Sequence, residues 1–158
     1  MFRKKARAVK EQSIYKRYGG YEFFHGCIYE LYKDMFLRPE ISHHFLGVDI
    51  DILSRHQTQY LVKHIGGPHR YGGKPIKWVH RNMDITDFQF DEIAKAFKQV
   101  FLDRGVSEED TQTIMNFVAS RKGSIVTASW SLIDGIMMPI YYISDLIRAA
   151  FNIILGRK

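Results

Sequence analysis

Apolar side chains recur at helical spacing along most of this chain, and nowhere do they alternate with polar ones between hairpin turns. A period near 3.6 residues puts such side chains on one face of a helix, whereas a half-buried strand needs a period of two. The fold class read from this is all-α. Residues 21–36 carry Phe23, Phe24, Ile28, Leu31, Tyr32 and Phe36 at that spacing. Arg38-Pro39 interrupts the pattern, because a residue before proline is pushed out of the helical region, and a short segment to Phe45 follows. A second run from 49 to 64 passes through Ile52, Leu53, Gln57, Tyr60 and Leu61 until Gly66-Gly67-Pro68 stops it.

Residues 66–75 hold four glycines and two prolines and read as a loop. A short helix over roughly 75–80 opens on Pro75, a residue favoured in a first turn. Residues 87–103 give a strong stripe of Phe90, Ile93, Phe97, Val100 and Phe101, closed by Gly105. Ser107 with Glu108, Glu109 and Asp110 opens the next helix, whose apolar positions are Ile114, Phe117 and Val118, and Arg121-Lys122-Gly123 ends it. Residues 124–158 differ: Leu132, Ile136, Ile140, Ile143, Ile147, Phe151 and Ile154 form one helical face, interrupted by few charges. Asp134 and Asp145 bracket a stretch too short to span a bilayer. An amphipathic helix lying on a membrane or a partner, and one docked on the protein's own surface, both fit. The division expected is a basic arm over 1–12, a helical domain over 13–123 and an amphipathic extension over 124–158.

The net charge of +6 is a local matter. Residues 1–17 hold seven basic side chains and one acidic, which is the whole excess; the other 141 residues carry sixteen of each. A basic arm, not a basic domain face, argues against a nucleic-acid reader. The single cysteine, Cys27, excludes an intramolecular disulfide and a four-cysteine zinc site, and reads as a small buried apolar residue. No apolar run follows the basic start, so it does not read as a secretory signal. A cytoplasmic place is expected, with a membrane-peripheral one open for the apolar tail.

Seven histidines are present and none forms an HExxH pair. Tyr32 shares a stripe with Phe24, Ile28 and Leu31, and Gln57 lies one turn from both Leu53 and Leu61. A polar group on an apolar face needs a partner. The two satisfy each other or the backbone, or they face a ligand together.

Taken in order, these residues resemble a known family. The run comprises Ser13-Ile14-Tyr15, Gly19-Gly20, Tyr32, Pro39, His44-Phe45, Gly47-Val48-Asp49, His56-Gln57, Gly66-Gly67-Pro68, Tyr71, Gly73 and Val79-His80. It resembles the truncated haemoglobins of the first group, short two-over-two helical globins, from residue 13 to about 122. The resemblance implies a truncated two-over-two globin fold with terminal extensions, and a non-covalent b-type haem. His80 matches the proximal iron ligand and Phe45 the phenylalanine packed on the haem ring. Tyr32, Leu53, His56 and Gln57 match distal positions. Tyr71, Ile76, Phe90, Ile93 and Phe97 would complete the cofactor's surroundings. Tyr32 and Gln57 are then the donors that stabilise charge on a bound gas. His56 either ligates iron from the distal side or stays at the pocket rim; being about 100° from Gln57 on the helix, it cannot face iron together with it. Some relatives link haem covalently to a late histidine, and residues 107–127 contain none.

Three functions follow as expectations. The first is reversible binding of O2, NO and CO, with oxidation of NO to nitrate (an NO dioxygenase) served by an external reductase. The second is a six-coordinate haem redox or ligand sensor using His56. The third is a haem-free, membrane-associated interaction module, with the tail as the contact to lipid or to another copy.

Overall fold

The computed structural model describes residues 12–68 and 71–128. Among these there are helices and turns and no strands. In chain order the helices are α1 (Ile14–Arg17), α2 (Tyr21–Met35), α3 (Pro39–Ser42), α4 (Ile50–His64), α5 (Ile76–His80), α6 (Asp87–Asp103), α7 (Glu108–Ala119) and α8 (Lys122–Ile125), with a 3-10 turn at His43–Phe45 after α3. α2 packs on α4 and α6 packs on α7, the two pairs meet where α2 touches α6, and α5 lies against α8.

Local chemistry sets the helix ends. Asp49 caps α4, its carboxylate accepting the Asp51 and Ile52 amides at 2.8 and 3.0 Å. Thr86 and Gln89 form a reciprocal capping box at the start of α6. The Ser107 hydroxyl accepts the Asp110 amide at 3.2 Å, as its position before the acidic run predicts. α4 ends in a left-handed residue, Gly66 (φ +84°), and the Gly67 amide returns to the Val62 carbonyl at 2.9 Å. α5 begins one residue later than the sequence suggests, with Pro75 as its N-cap. The helix expected to run to Gly123 stops at Ala119, and Lys122–Ile125 forms a separate turn.

The core is built on α2. Phe24, Cys27, Ile28, Leu31, Tyr32 and Met35 are its buried residues, at alternating steps of three and one. Phe24 meets Phe101 of α6 edge-on at 6.1 Å, and Phe101 meets Phe97 at 5.3 Å. On α4 the buried face is not the one that hydropathy marks. Ile52 is 47% exposed, while Ser54 and Thr58 are fully buried beside Leu61 and Val62. Their hydroxyls donate to the Ile50 and Ser54 carbonyls, both at 2.7 Å, so small polar side chains are satisfied within the helix. That leaves Leu53, Gln57 and Tyr60 on the neighbouring face.

α1 is fastened to the start of α7. Arg17 pairs with Asp110, the Tyr18 hydroxyl donates to the same carboxylate at 2.7 Å, and the Ser107 amide donates to the Tyr18 hydroxyl at 3.0 Å. At the other end, the Thr127 and Ala128 amides both reach the Ile85 carbonyl, at 3.0 and 3.1 Å. Of the region read as an extension, residues 124–128 are thus packed onto the helical domain, and the remainder lies outside the described residues. No helix among the described residues is long and apolar enough to cross a membrane.

Candidate functional site

Two adjoining cavities open among α2, α4, α5, α6 and α7. The inner one has an empty volume of about 890 Å³ including its mouth and is lined by Tyr32, Phe45, Gln57, Ile76, His80, Phe90, Ile93 and Phe97 among others. The outer one, about 1040 Å³ including open solvent, is bordered by Leu53, His56, Tyr71 and Lys74. Gln57, Tyr60, Ile76 and His80 line both. Every site residue expected from the sequence borders one cavity or the other.

His80 is the last residue of α5. Its Nδ1 lies 2.8 Å from the Ile76 carbonyl one turn earlier. A carbonyl only accepts, so Nδ1 carries the hydrogen and the neutral ring keeps its lone pair on Nε2. The short helix therefore fixes both the tautomer and the ring's orientation.

Tyr32 reaches the inner cavity from α2. It is 8% exposed and meets the Phe45 ring edge-on at 5.7 Å, while Phe45 stacks on Phe36 at 4.9 Å. Burial pushes the phenol's pKa far up, so it stays protonated. Its hydroxyl has no hydrogen-bond partner among the described residues, and neither has the Gln57 amide. The two do not satisfy each other. Tyr32, Gln57 and His80, from three helices, are brought to one cavity.

His56 is not. It is exposed and borders only the outer cavity, beside Leu53 and Tyr71. The 100° step between neighbouring helical positions is resolved with Gln57 facing inward. Tyr71 closes its own turn, its hydroxyl donating to the Lys74 carbonyl at 3.0 Å, and its ring meets Tyr60 at 5.0 Å. Burial, and then Tyr60, raise its pKa.

Three further groups border the inner cavity. Tyr60 follows Gln57 by three positions, and that spacing alone could have marked it. His44 sits with Nε2 3.2 Å from Gln89 Oε1, the oxygen that also accepts the Thr86 amide. Burial lowers the His44 pKa against the opposing Gln89 bond. Nothing local in the sequence couples residues 44 and 89. Phe117 of α7 forms part of the far wall, with Arg121 over its ring at 5.1 Å.

A model of the bacterial-like globin family matches residues 13–127. The group 1 truncated haemoglobin of Nostoc sp. (strain MUN 8820) is 30% identical over 114 residues, covering 72% of this chain and 97% of the relative. That of Mycolicibacterium paratuberculosis is 29% identical over 121 residues, covering 77% and 89%. The structure of the Fe(III) truncated haemoglobin of Tetrahymena pyriformis aligns with a TM-score of 0.68 at 23% identity, covering 73% of this chain and 98% of that one. The 2/2 haemoglobin of Synechococcus sp. PCC 7002, solved with covalently attached haem in the cyanomet state, aligns with a TM-score of 0.68 at 20% identity over the same shares. The last two show the fold alone. The chain belongs to the bacterial-like globin family and carries the two-over-two fold of the group 1 truncated haemoglobins.

Proposed function

We propose that this protein binds a b-type haem non-covalently through His80 Nε2 and reversibly holds O2 and other diatomic gases in the inner cavity, with Tyr32 and Gln57 as the donors to the gas. The family implies haem, and the donor set fits it. Among the described residues no group of three or more His, Cys, Asp or Glu side chains could cage a bare metal ion. A metal at His80 must arrive with further ligands, and a porphyrin supplies four. The observation that carries the reading is the pairing of an imidazole whose Nδ1 is tied to Ile76 with two unpartnered polar groups on the same apolar cavity. No histidine follows His80 in the sequence, which supports non-covalent attachment.

Haem, when bound, supplies an iron that takes a diatomic gas and shifts electron density onto it. The chain's own groups do the rest. Phe45, Phe90, Ile93 and Phe97 exclude water and lower the local dielectric, so a hydrogen bond to a polarised ligand is strengthened. The protonated Tyr32 hydroxyl and the Gln57 NH2 are donors on the inner cavity's wall. Gas held in this way supports oxidation of NO: one O2, one NO and one electron give one nitrate, and the electron comes from an external reductase. The exposed place of His56 on the outer cavity favours a rim role over iron ligation.

Visible spectra of the ferric, ferrous and CO-bound protein test this. A Soret band and a broad ferrous visible band are expected. Sharp split ferrous bands that vanish in His56→Ala would replace it with the six-coordinate reading. His80→Gly should lose normal haem loading; unchanged loading and spectra would overturn the assignment.

A further inference from the structure

One exposed surface lies beside the site. Trp78, in the middle of α5, is 46% exposed, and Val79 beside it is 46% exposed. The Lys74 ammonium and the Arg81 guanidinium each lie 3.9 Å from the Trp78 ring centroid. Lys77 is exposed on the same helix, and no acidic residue occurs between Lys74 and Met83. Outside residues 1–17 the chain is charge-neutral, so this is a local concentration of positive charge around an apolar centre. Tryptophan and arginine are enriched at the energetic centres of protein interfaces, and charged groups populate the rims. The patch also adjoins the site, since Lys74 and Val79 border the outer cavity with His80.

We propose that the α5 surface around Trp78, with Lys74, Lys77 and Arg81, docks an acidic one-electron carrier protein. This deepens the haem reading and rests on it. One electron leaves the partner's reduced cluster or flavin, one ferric haem iron becomes ferrous, and no atom is transferred. The cations steer a negative surface and Trp78 with Val79 supplies the contact to be desolvated. Docking here brings the partner within two residues of the iron-binding imidazole. A protein suits the patch better than a bilayer, because α5 spans only five residues and its apolar centre is two side chains wide.

The test uses the full chain and, as probe, a [2Fe–2S] ferredoxin with a strongly acidic surface. Binding is measured by titration calorimetry at low and high salt, for the wild type, Lys77→Glu/Arg81→Glu and Trp78→Ala. A Lys4→Glu/Lys5→Glu variant controls for the basic arm. Salt and each α5 variant should weaken binding by about tenfold or more, and the arm variant much less. Reduction of the ferric protein by the ferredoxin should slow in parallel, with reduction by dithionite unchanged. Binding indifferent to salt or to the α5 substitutions, or lost only in the arm variant, overturns the proposal. So does an α5 variant that loses binding to phosphatidylserine vesicles but keeps the ferredoxin. Binding is read whether or not haem is present. A chain that takes up no haem yet docks ferredoxin through these residues would sink the haem reading and leave the surface standing.

Discussion

Tyr32 spends its burial on keeping a proton. A phenol in this cavity ionises far above its ordinary pKa of 10.0, because the charged form would lose its water. It therefore remains a donor across the neutral and mildly alkaline range. O2 dissociation should be flat between about pH 6 and 9, and a rise within that window, read by stopped-flow, would deny Tyr32 the role. Tyr32→Phe removes one hydrogen bond worth about 1–1.5 kcal/mol, so O2 should leave about tenfold faster; Gln57→Leu should act in the same direction. The meeting of Tyr32 and Gln57 at one cavity was legible in the sequence because each stands as a polar exception on an apolar helical stripe. Ser54 and Thr58 were not legible as core, because hydropathy counts their hydroxyls and cannot see them bonded to carbonyls four residues back. His44 escaped for another reason: its partner is Gln89, brought in only when α6 is in place.

At the level of elements, the joints carry the testable strain. Gly66 adopts φ +84°, and an added Cβ would meet the Ser13 side chain. Gly47 has a similar φ of +74° with open space around it. Gly47→Ala should cost about 1–2 kcal/mol for the left-handed backbone alone, and Gly66→Ala about 1 kcal/mol or more beyond that. Urea denaturation of the two variants separates backbone strain from collision. The α1–α7 joint has a pH signature. Burial would raise the Asp110 pKa, but hydrogen bonds from Tyr18 and Arg17 outweigh it and hold it below the ordinary 3.8. With the folded value depressed, the stabilisation is complete above the unfolded pKa and fades as pH falls toward the folded one. Asp110→Asn should lose about 1–3 kcal/mol at pH 7, with the deficit shrinking on acidification below 3.8. Helix existence was readable here from local chemistry, and so was the cap at Ser107; the caps at Asp49 and Thr86 emerge only with the structure. The early stop at Ala119 was not readable, since Arg121-Lys122-Gly123 suits either an end or a fresh turn.

In the whole molecule, stability is uneven around the cavity. α5 has no buried residue and bears the proposed iron ligand. An element so lightly packed should open locally before the α2 core does. A ligand bound only to the folded state stabilises it by about 4 kcal/mol at a thousandfold excess over its Kd. Adding haem should thus raise Tm and slow amide exchange most within 76–80; equal slowing throughout the chain would contradict the picture. The ordering of motifs from Ser13 to His80 made the fold legible as a resemblance, whereas the split into inner and outer cavities depends on which way α4 is rotated.

The pair of amides that Thr127 and Ala128 lend to Ile85 dictates where the protein can be cut. Trimming it at Gly123, the apparent natural stop, would also remove the Thr127 hydroxyl that accepts the Ile85 amide at 3.1 Å. The strand of backbone leading from His80 into α6 would lose its clasp, so a minimal version should keep everything through Ala128.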